Sequence, residues 1–243
     1  SKVEYRKLNH NNHDNNDSND NNDNNNDDNN GNMVYPGWMI YYGVTGLNHK
    51  RNSGSSIFNK ERLVVRFSNM GINNLTTLGR VNYLNAHDPL EKHIHKDSME
   101  ICYLARGKQT YMVGDKAYTL KGGDVFITFP DEEHSTGINV EEKSVLYYII
   151  VDVRNNLDSF LGFKDEEGKK LAIALNHMNN TNRHFRGCNE LREILDEIFL
   201  TYYSDKSFRK ITIQSLACRF FIRIVELESN RKQKMPEDIS RII

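Results

Sequence analysis

The sequence predicts a small all-β barrel followed by an α-helical segment, and three observations carry that prediction. Short runs rich in β-branched and aromatic residues, separated by turn signals, succeed one another from about residue 62 to 153. Beyond about residue 155 the apolar period lengthens to that of helices. Within the β-rich part, His93, His95 and Glu100 on one glycine-punctuated strand are answered by His134 after another. Side chains alternate in extended backbone, so His93 and His95 project the same way. Joined by a carboxylate and a third imidazole, they make a set of nitrogen and oxygen donors.

The chain opens on a tail, 1–32, whose residues 9–32 are almost wholly Asn and Asp, broken by His10, His13, Ser18 and Gly31. With nothing apolar to bury, such a tract cannot offset its ordering entropy and is expected to be disordered. Its carboxylates lack the fixed Gly and closing Glu of a calcium loop. The barrel is placed at 33–155, with strands expected at 38–43, 62–67, 75–84, 99–105, 109–113, 116–120, 124–129 and 145–153. Asn73-Asn74, Asp88-Pro89, Gly114-Asp115, Gly122-Gly123 and Asp131-Glu132-Glu133 supply turns between them. Trp38, Tyr41 and Tyr42 are read as core, or as a lid of amphipathic rings over the barrel mouth.

Helices are expected over 156–230. Leu171, Ala172, Leu175 and Met178 mark a short one. Leu191, Ile194, Leu195, Ile198, Phe199 and Tyr202 mark a second, with Asn189 as its N-cap. Ile213, Leu216, Ala217, Phe220, Ile224 and Leu227 mark a third. Two such stripes beside a small barrel leave an apolar face to cover, so part of them is assigned to pairing two chains: Leu191, Leu195, Phe199, Leu216, Phe220 and Ile224. His177, Arg183, His184 and Arg186 are read as a solvated face. A polar connector follows from Glu228, and 231–243 is read as a linker whose Met235-Pro236-Glu237-Asp238-Ile239 opens a further helix.

A net charge of −1 and a pI near 6.7 exclude a chain that coats nucleic acid by bulk charge. No apolar stretch of about 18 residues is present, so no membrane-spanning helix is expected, and no basic-then-apolar leader begins the chain. Cys102, Cys188 and Cys218 lack paired spacing and read as buried thiols in a reducing, cytoplasmic setting.

The histidine segments resemble the two motifs of the double-stranded β-helix, or cupin, superfamily. His93-Ile94-His95, four residues, Glu100, six residues and Gly107 match the first, and Gly123, Pro130 and His134 match the second in order. His87 stands where the first motif opens on Gly, and Glu132 where the second often carries Gly. The Pro-to-His spacing is one residue shorter than usual, and no Asn follows His134. More narrowly, Glu100-Ile-Cys-Tyr-Leu-Ala-Arg-Gly107, Tyr118-Thr-Leu-Lys-Gly-Gly-Asp-Val-Phe126 and Phe129-Pro-Asp-Glu-Glu-His-Ser135 look like the effector domain of AraC-type transcription regulators. That resemblance implies a cupin barrel binding a small effector, a sugar or related metabolite in kind, and helices that form a homodimer. It also implies DNA contact only through a helix-turn-helix domain not contained in these residues.

Two readings of the pocket stay open. In one, His93, His95, Glu100 and His134 coordinate Zn, Ni, Mn or Fe; in the other, the same residues hydrogen-bond an organic effector without metal. Cys102, two residues beyond Glu100, shares its face and is read as a packed thiol or a cavity-lining one. Effector contacts are thus assigned to His93, His95, Glu100, Cys102, His134 and Trp38. The rival function is a stand-alone metal-dependent cupin enzyme, an isomerase or dioxygenase; a sensing rather than catalytic role is expected, because a bare enzymatic barrel has no use for the helices.

Overall fold

The computed structural model describes residues 57–178 and 180–234. The Asn/Asp tail, the strand expected at 38–43 with Trp38, Tyr41 and Tyr42, and the helix expected to open near Pro236 lie outside the described residues.

Eight strands are described: β1 (Arg62–Arg66), β2 (Leu75–Tyr83), β3 (Ser98–Val113), β4 (Lys116–Lys121), β5 (Asp124–Thr128), β6 (His134–Ser135), β7 (Ser144–Asp152) and β8 (His184–Arg186). Every pairing is antiparallel. One layer runs β1-β2-β7-β3-β5-β8, and the far half of β3 leaves it to pair with β4 and β6 in a second layer. The two strands expected at 99–105 and 109–113 are therefore one strand of 16 residues. A bulge between Leu104 and Arg106 and the positive φ of Gly107 bend the chain between layers without ending it. A Cβ at residue 107 would run into the Lys143 carbonyl and Ser144, which is why glycine stands at the bend.

The larger layer is buried on both faces, and strand alternation sorts its residues cleanly. Cys102, Leu104, Phe126, Val81, Tyr83 and Leu146 point inward and meet Tyr111 and Leu120 of the second layer. Ile101, Tyr103, Val125, Ile127, Tyr147 and Ile149 point outward into a separate cluster shared with the helices. This is the cupin barrel with a helical layer stacked on one side.

The helices are α1 (Glu166–Asn176), α2 (Asn189–Tyr202) and α3 (Arg209–Lys234). Asp165 caps α1 by accepting from the Gly168 amide at 2.9 Å. Asn189 is the first helical residue of α2, with Cys188 in the capping position expected of Asn189. No glycine or proline interrupts α3 before Pro236, so the helix continues through Lys234 and the connector expected from Glu228 is helical.

The six residues assigned to chain pairing are spent inside a single chain. Leu191, Leu195, Phe199, Phe220 and Ile224 are at most 1% exposed and Leu216 is 8% exposed. They lie in the apolar cluster that the helices share with the outer side of the larger sheet, so they have almost no surface left for a partner. Arg183 and His184 also differ from the expected solvated face, whereas Arg186 is exposed as expected. His184–Arg186 form the edge strand β8 beside β5, and Arg183 is buried (5% exposed). Of the three cysteines only Cys102 is buried; Cys188 and Cys218 are partly exposed.

Candidate effector and metal site

Glu100 is the third residue of β3 and points inward from the larger layer. His134 comes from β6 in the facing layer. His93 is not on a regular strand: it forms an isolated antiparallel bridge with His134, each amide donating to the other's carbonyl at 3.1 and 3.0 Å. His95 lies in the irregular lead-in to β3. The expectation that His93 and His95 project together holds by extended geometry, their rings 5.2 Å apart, although the strand expected around them is absent. His134 completes the group, with its ring 4.1 Å from His93 and 5.3 Å from His95. One donor atom from each of the four residues lies within 4.8 Å of all the others.

Glu100 and His134 form the buried floor, and His93 and His95 the half-buried rim. His134 Nε2 donates to Glu100 Oε2 at 2.9 Å, and His95 Nε2 is 3.6 Å from the same oxygen. Backbone carbonyls set the tautomers: His93 Nδ1 donates to Glu91 O at 2.8 Å, and His134 Nδ1 to Glu132 O at 3.1 Å. Both imidazoles therefore turn Nε2 toward the cluster, as an outer-shell partner does for a ligating histidine.

The electrostatics agree. Burial opposes charge on Glu100, but the hydrogen bond from His134 and the nearby His95 imidazole outweigh it and hold the carboxyl well below the usual range. Burial likewise opposes charge on His134, and the Glu100 hydrogen bond and charge raise its pKa regardless. His93 is lowered, first by burial and then by the neighbouring His134 charge. The donors suit a metal. An ion about 2.0–2.2 Å from each atom needs them within about 4.4 Å of one another, which requires only a slight closing. Three imidazoles and one carboxylate fit Mn, Fe, Ni or Zn. His95 Nε2 is buried without a hydrogen-bond partner, which leaves a polar atom to be satisfied by an ion or ligand.

Cys102 lies deeper on the same face as Glu100. Burial pushes its thiol well up, and it pairs with the Tyr111 hydroxyl within the inner apolar cluster. It is a packed thiol behind the four donors. Trp38 lies outside the described residues.

Two features were not legible from the motifs. Tyr148, inward on β7, lays its ring where a side chain at Gly79 would go, and its neighbours include Arg62, Glu100 and Tyr83; strand alternation alone could have flagged it. Glu132, the departure from the second motif, receives Arg183 at 2.5 and 2.8 Å and caps the Phe129 amide at 2.8 Å. It braces the turn that carries His134. Arg183 lies 51 residues from it, with no local signal to reveal the pairing.

A family model described as the AraC-like ligand binding domain matches residues 82–216, more than half of the 243. No curated protein matches the sequence. Among solved structures, the chain is similar to a predicted oxalate decarboxylase from Thermotoga maritima (22% identity over 37% of this chain and 79% of that one, TM-score 0.31). It is also similar to a deletion mutant of the oxalate decarboxylase OxdC of Bacillus subtilis (19%, 37% and 24%, 0.31) and to the Cnp3 cupin domain of Schizosaccharomyces pombe (17%, 32% and 56%, 0.27). The chain spans about a quarter of the second and just over half of the third. Likenesses this partial carry nothing about what the chain binds.

Proposed function

Since the chain belongs to the family of AraC-like ligand-binding domains, we propose that it is the effector-sensing module of a DNA-binding transcription regulator. The observation that carries this reading is the placement of four convergent polar donors inside the barrel, beside its inner cluster of apolar and phenolic side chains. One wall of that barrel is the sheet on which the helices pack. A small molecule bearing oxygen donors is read by the imidazoles of His93, His95 and His134 and by Glu100, with Tyr148 on the adjoining wall. A divalent transition metal, when bound, would supply a Lewis-acidic anchor for such a molecule. The carbonyls of Glu91 and Glu132 hold two of the rings in register, and the Glu132–Arg183 pair fixes the turn beneath His134.

Output follows by population shift. Effector contacts made in only one arrangement of the barrel wall bias the helices packed behind it. DNA is read by a helix-turn-helix domain of the whole regulator, a cytoplasmic protein. No helix among the described residues is long and apolar enough to cross a membrane. The complete ligand set also suits a second reading, a metal-dependent cupin enzyme in which Glu100 is fourth ligand or base.

Native mass spectrometry of the purified protein separates the two. A small molecule retained by the wild type, released intact on denaturation and lost in His134→Ala, is the expected result. Oxygen consumption or isomerisation of added sugars by the metal-loaded protein, abolished by the same substitution, would overturn it in favour of the enzyme.

A further inference from the structure

The four donors are not carried alike. Glu100 and His134 are buried on strands, whereas His93 and His95 lie on the irregular link 84–97 between β2 and β3. That link leaves the larger layer at Tyr83, runs antiparallel along residues 134–141 beside β6, and rejoins the larger layer at Ser98. It is bonded there only at separated points. His87 and Glu141 exchange amide-to-carbonyl bonds at 2.9 and 3.1 Å, and His93 and His134 do so at 3.1 and 3.0 Å. Between them the Leu90 amide donates to Thr136 Oγ1 at 2.8 Å, and the Thr136 amide to the Leu90 carbonyl at 3.2 Å. Little apolar burial reinforces these ties: Leu84 is 62% exposed and Ile94 53%, and of these three aliphatic side chains Leu90 alone packs on the inner cluster. At the near end His87 Nε2 lies 2.6 Å from Glu61 Oε1, with its ring 4.1 Å from that of Tyr83. At the far end the Asp131 amide donates to the His95 carbonyl, and the Asp97 amide to Asp131 Oδ1, both at 3.1 Å. A wall with few backbone bonds and little buried apolar surface opens at a smaller free energy than the continuous sheet beside it.

We propose that residues 84–94 are a gate: they part from 134–141 together while 95–97 stay anchored, and so admit a small molecule or ion to the barrel. Opening withdraws His93 from the other three donors, and the Glu91 carbonyl that orients its ring travels with it. A ligand held by His93 together with Glu100 and His134 is bound only with the gate shut. Its binding free energy therefore adds to the closed form, and what enters also closes the wall behind it. The molecule carries its own reporter. Cys102 lies behind the donors, 3% exposed, and meets solvent reagents when the wall in front of it opens. The inference rests on the donors being a ligand site, yet its test reads opening of the protein alone. A gate that opens in a protein retaining no small molecule would stand while the sensing reading fell, and the reverse outcome is equally open to observation.

The experiment is alkylation of Cys102 by iodoacetamide in the native full chain, read by mass spectrometry of tryptic peptides. The peptide Asp97–Arg106 carries Cys102 apart from Cys188 and Cys218. Thr136→Val removes the acceptor of the Leu90 amide and is expected to speed alkylation about fivefold, the worth of one hydrogen bond, with the circular dichroism unchanged. His87→Cys combined with Glu141→Cys places two thiols on paired backbone positions, where a disulfide can close. The oxidised pair is expected to slow alkylation of Cys102 about tenfold or more, and reduction to reverse the effect. Alkylation with the urea dependence of global unfolding, a Thr136→Val protein labelled at the wild-type rate, or an oxidised pair that leaves the rate unchanged would each overturn the proposal. Either variant decides the matter alone if the other fails to fold or to oxidise.

Discussion

Replacing Glu132 with Ala tests how the turn carrying His134 is held. Arg183 is 5% exposed, and its guanidinium makes two bonds to the Glu132 carboxylate at 2.5 and 2.8 Å. Its other acceptors are the carbonyls of Asn180 at 3.0 Å and Ile127 at 3.4 Å, and it lies over the Phe129 ring at 5.3 Å. Removing one member of a buried ion pair costs about 3–5 kcal/mol, because the other charge stays buried without its counter-charge. The partial exposure of the Glu132 side chain, 24%, puts this case near the lower end. The lost cap on the Phe129 amide adds about 1 kcal/mol. A total near 4 kcal/mol should appear in urea unfolding, or as a fall of about 8–16 °C in the melting midpoint for a chain of this size. Arg183→Met in the same background removes the stranded cation, so the double variant should recover part of the loss, with a coupling of about 2 kcal/mol. Because the Glu132 side chain braces the turn whose backbone carbonyl orients His134, zinc affinity of Glu132→Ala should also drop about tenfold. A loss below about 1 kcal/mol, or strictly additive single substitutions, would refute the bracing role.

Two further outcomes follow from the same structure. In metal-free protein His134 has a raised pKa, so its pairing with Glu100 stabilises fully below the ordinary 6.5 and fades as pH rises through the raised value. Glu100 has a lowered pKa, so its contribution is present above the ordinary 4.5 and is lost as pH falls through the lowered value. The stability difference between wild type and His134→Gln should therefore peak between about pH 4.5 and 6.5. Zinc affinity should instead fall below about pH 6, since ligation needs neutral imidazoles; urea melts and zinc titrations across pH 4–8 check both, and a difference that does not vary with pH would contradict the first. Phe220→Ala should cost about 3–5 kcal/mol in unfolding, because the ring is wholly buried within its own chain. A stable monomer from this variant would restore the inner stripe as the pairing face.

Much of the barrel was legible from local chemistry. The buried strand β7 shows in the β-branched and aromatic run Val145-Leu-Tyr-Tyr-Ile-Ile-Val-Asp-Val153, and the Gly122-Gly123 turn shows in its residues. The four donors were identified by a motif, not by periodicity: nothing in the spacing of His93 and His134 says they share a bridge. Gly107 looked like the end of one strand, whereas its bend carries β3 into the second layer. The edge strand His184–Arg186 is too short for any period to show. Glu132 stood out only as a mismatch, and its meaning depended on an arginine 51 residues away.

The sequence by itself determined the class of each segment, since the periods of 2 and 3.6 reflect which faces shed water, and it determined the chemistry available at the donors. Only the tertiary structure decided what those faces meet. An apolar stripe on a helix records that burial is needed but not whether the covering surface belongs to the same chain or another. Here the sheet and neighbouring helices of the same chain cover Leu191, Phe199 and Phe220, while Phe208 just before α3 and Ile211 and Ile222 on it stay exposed.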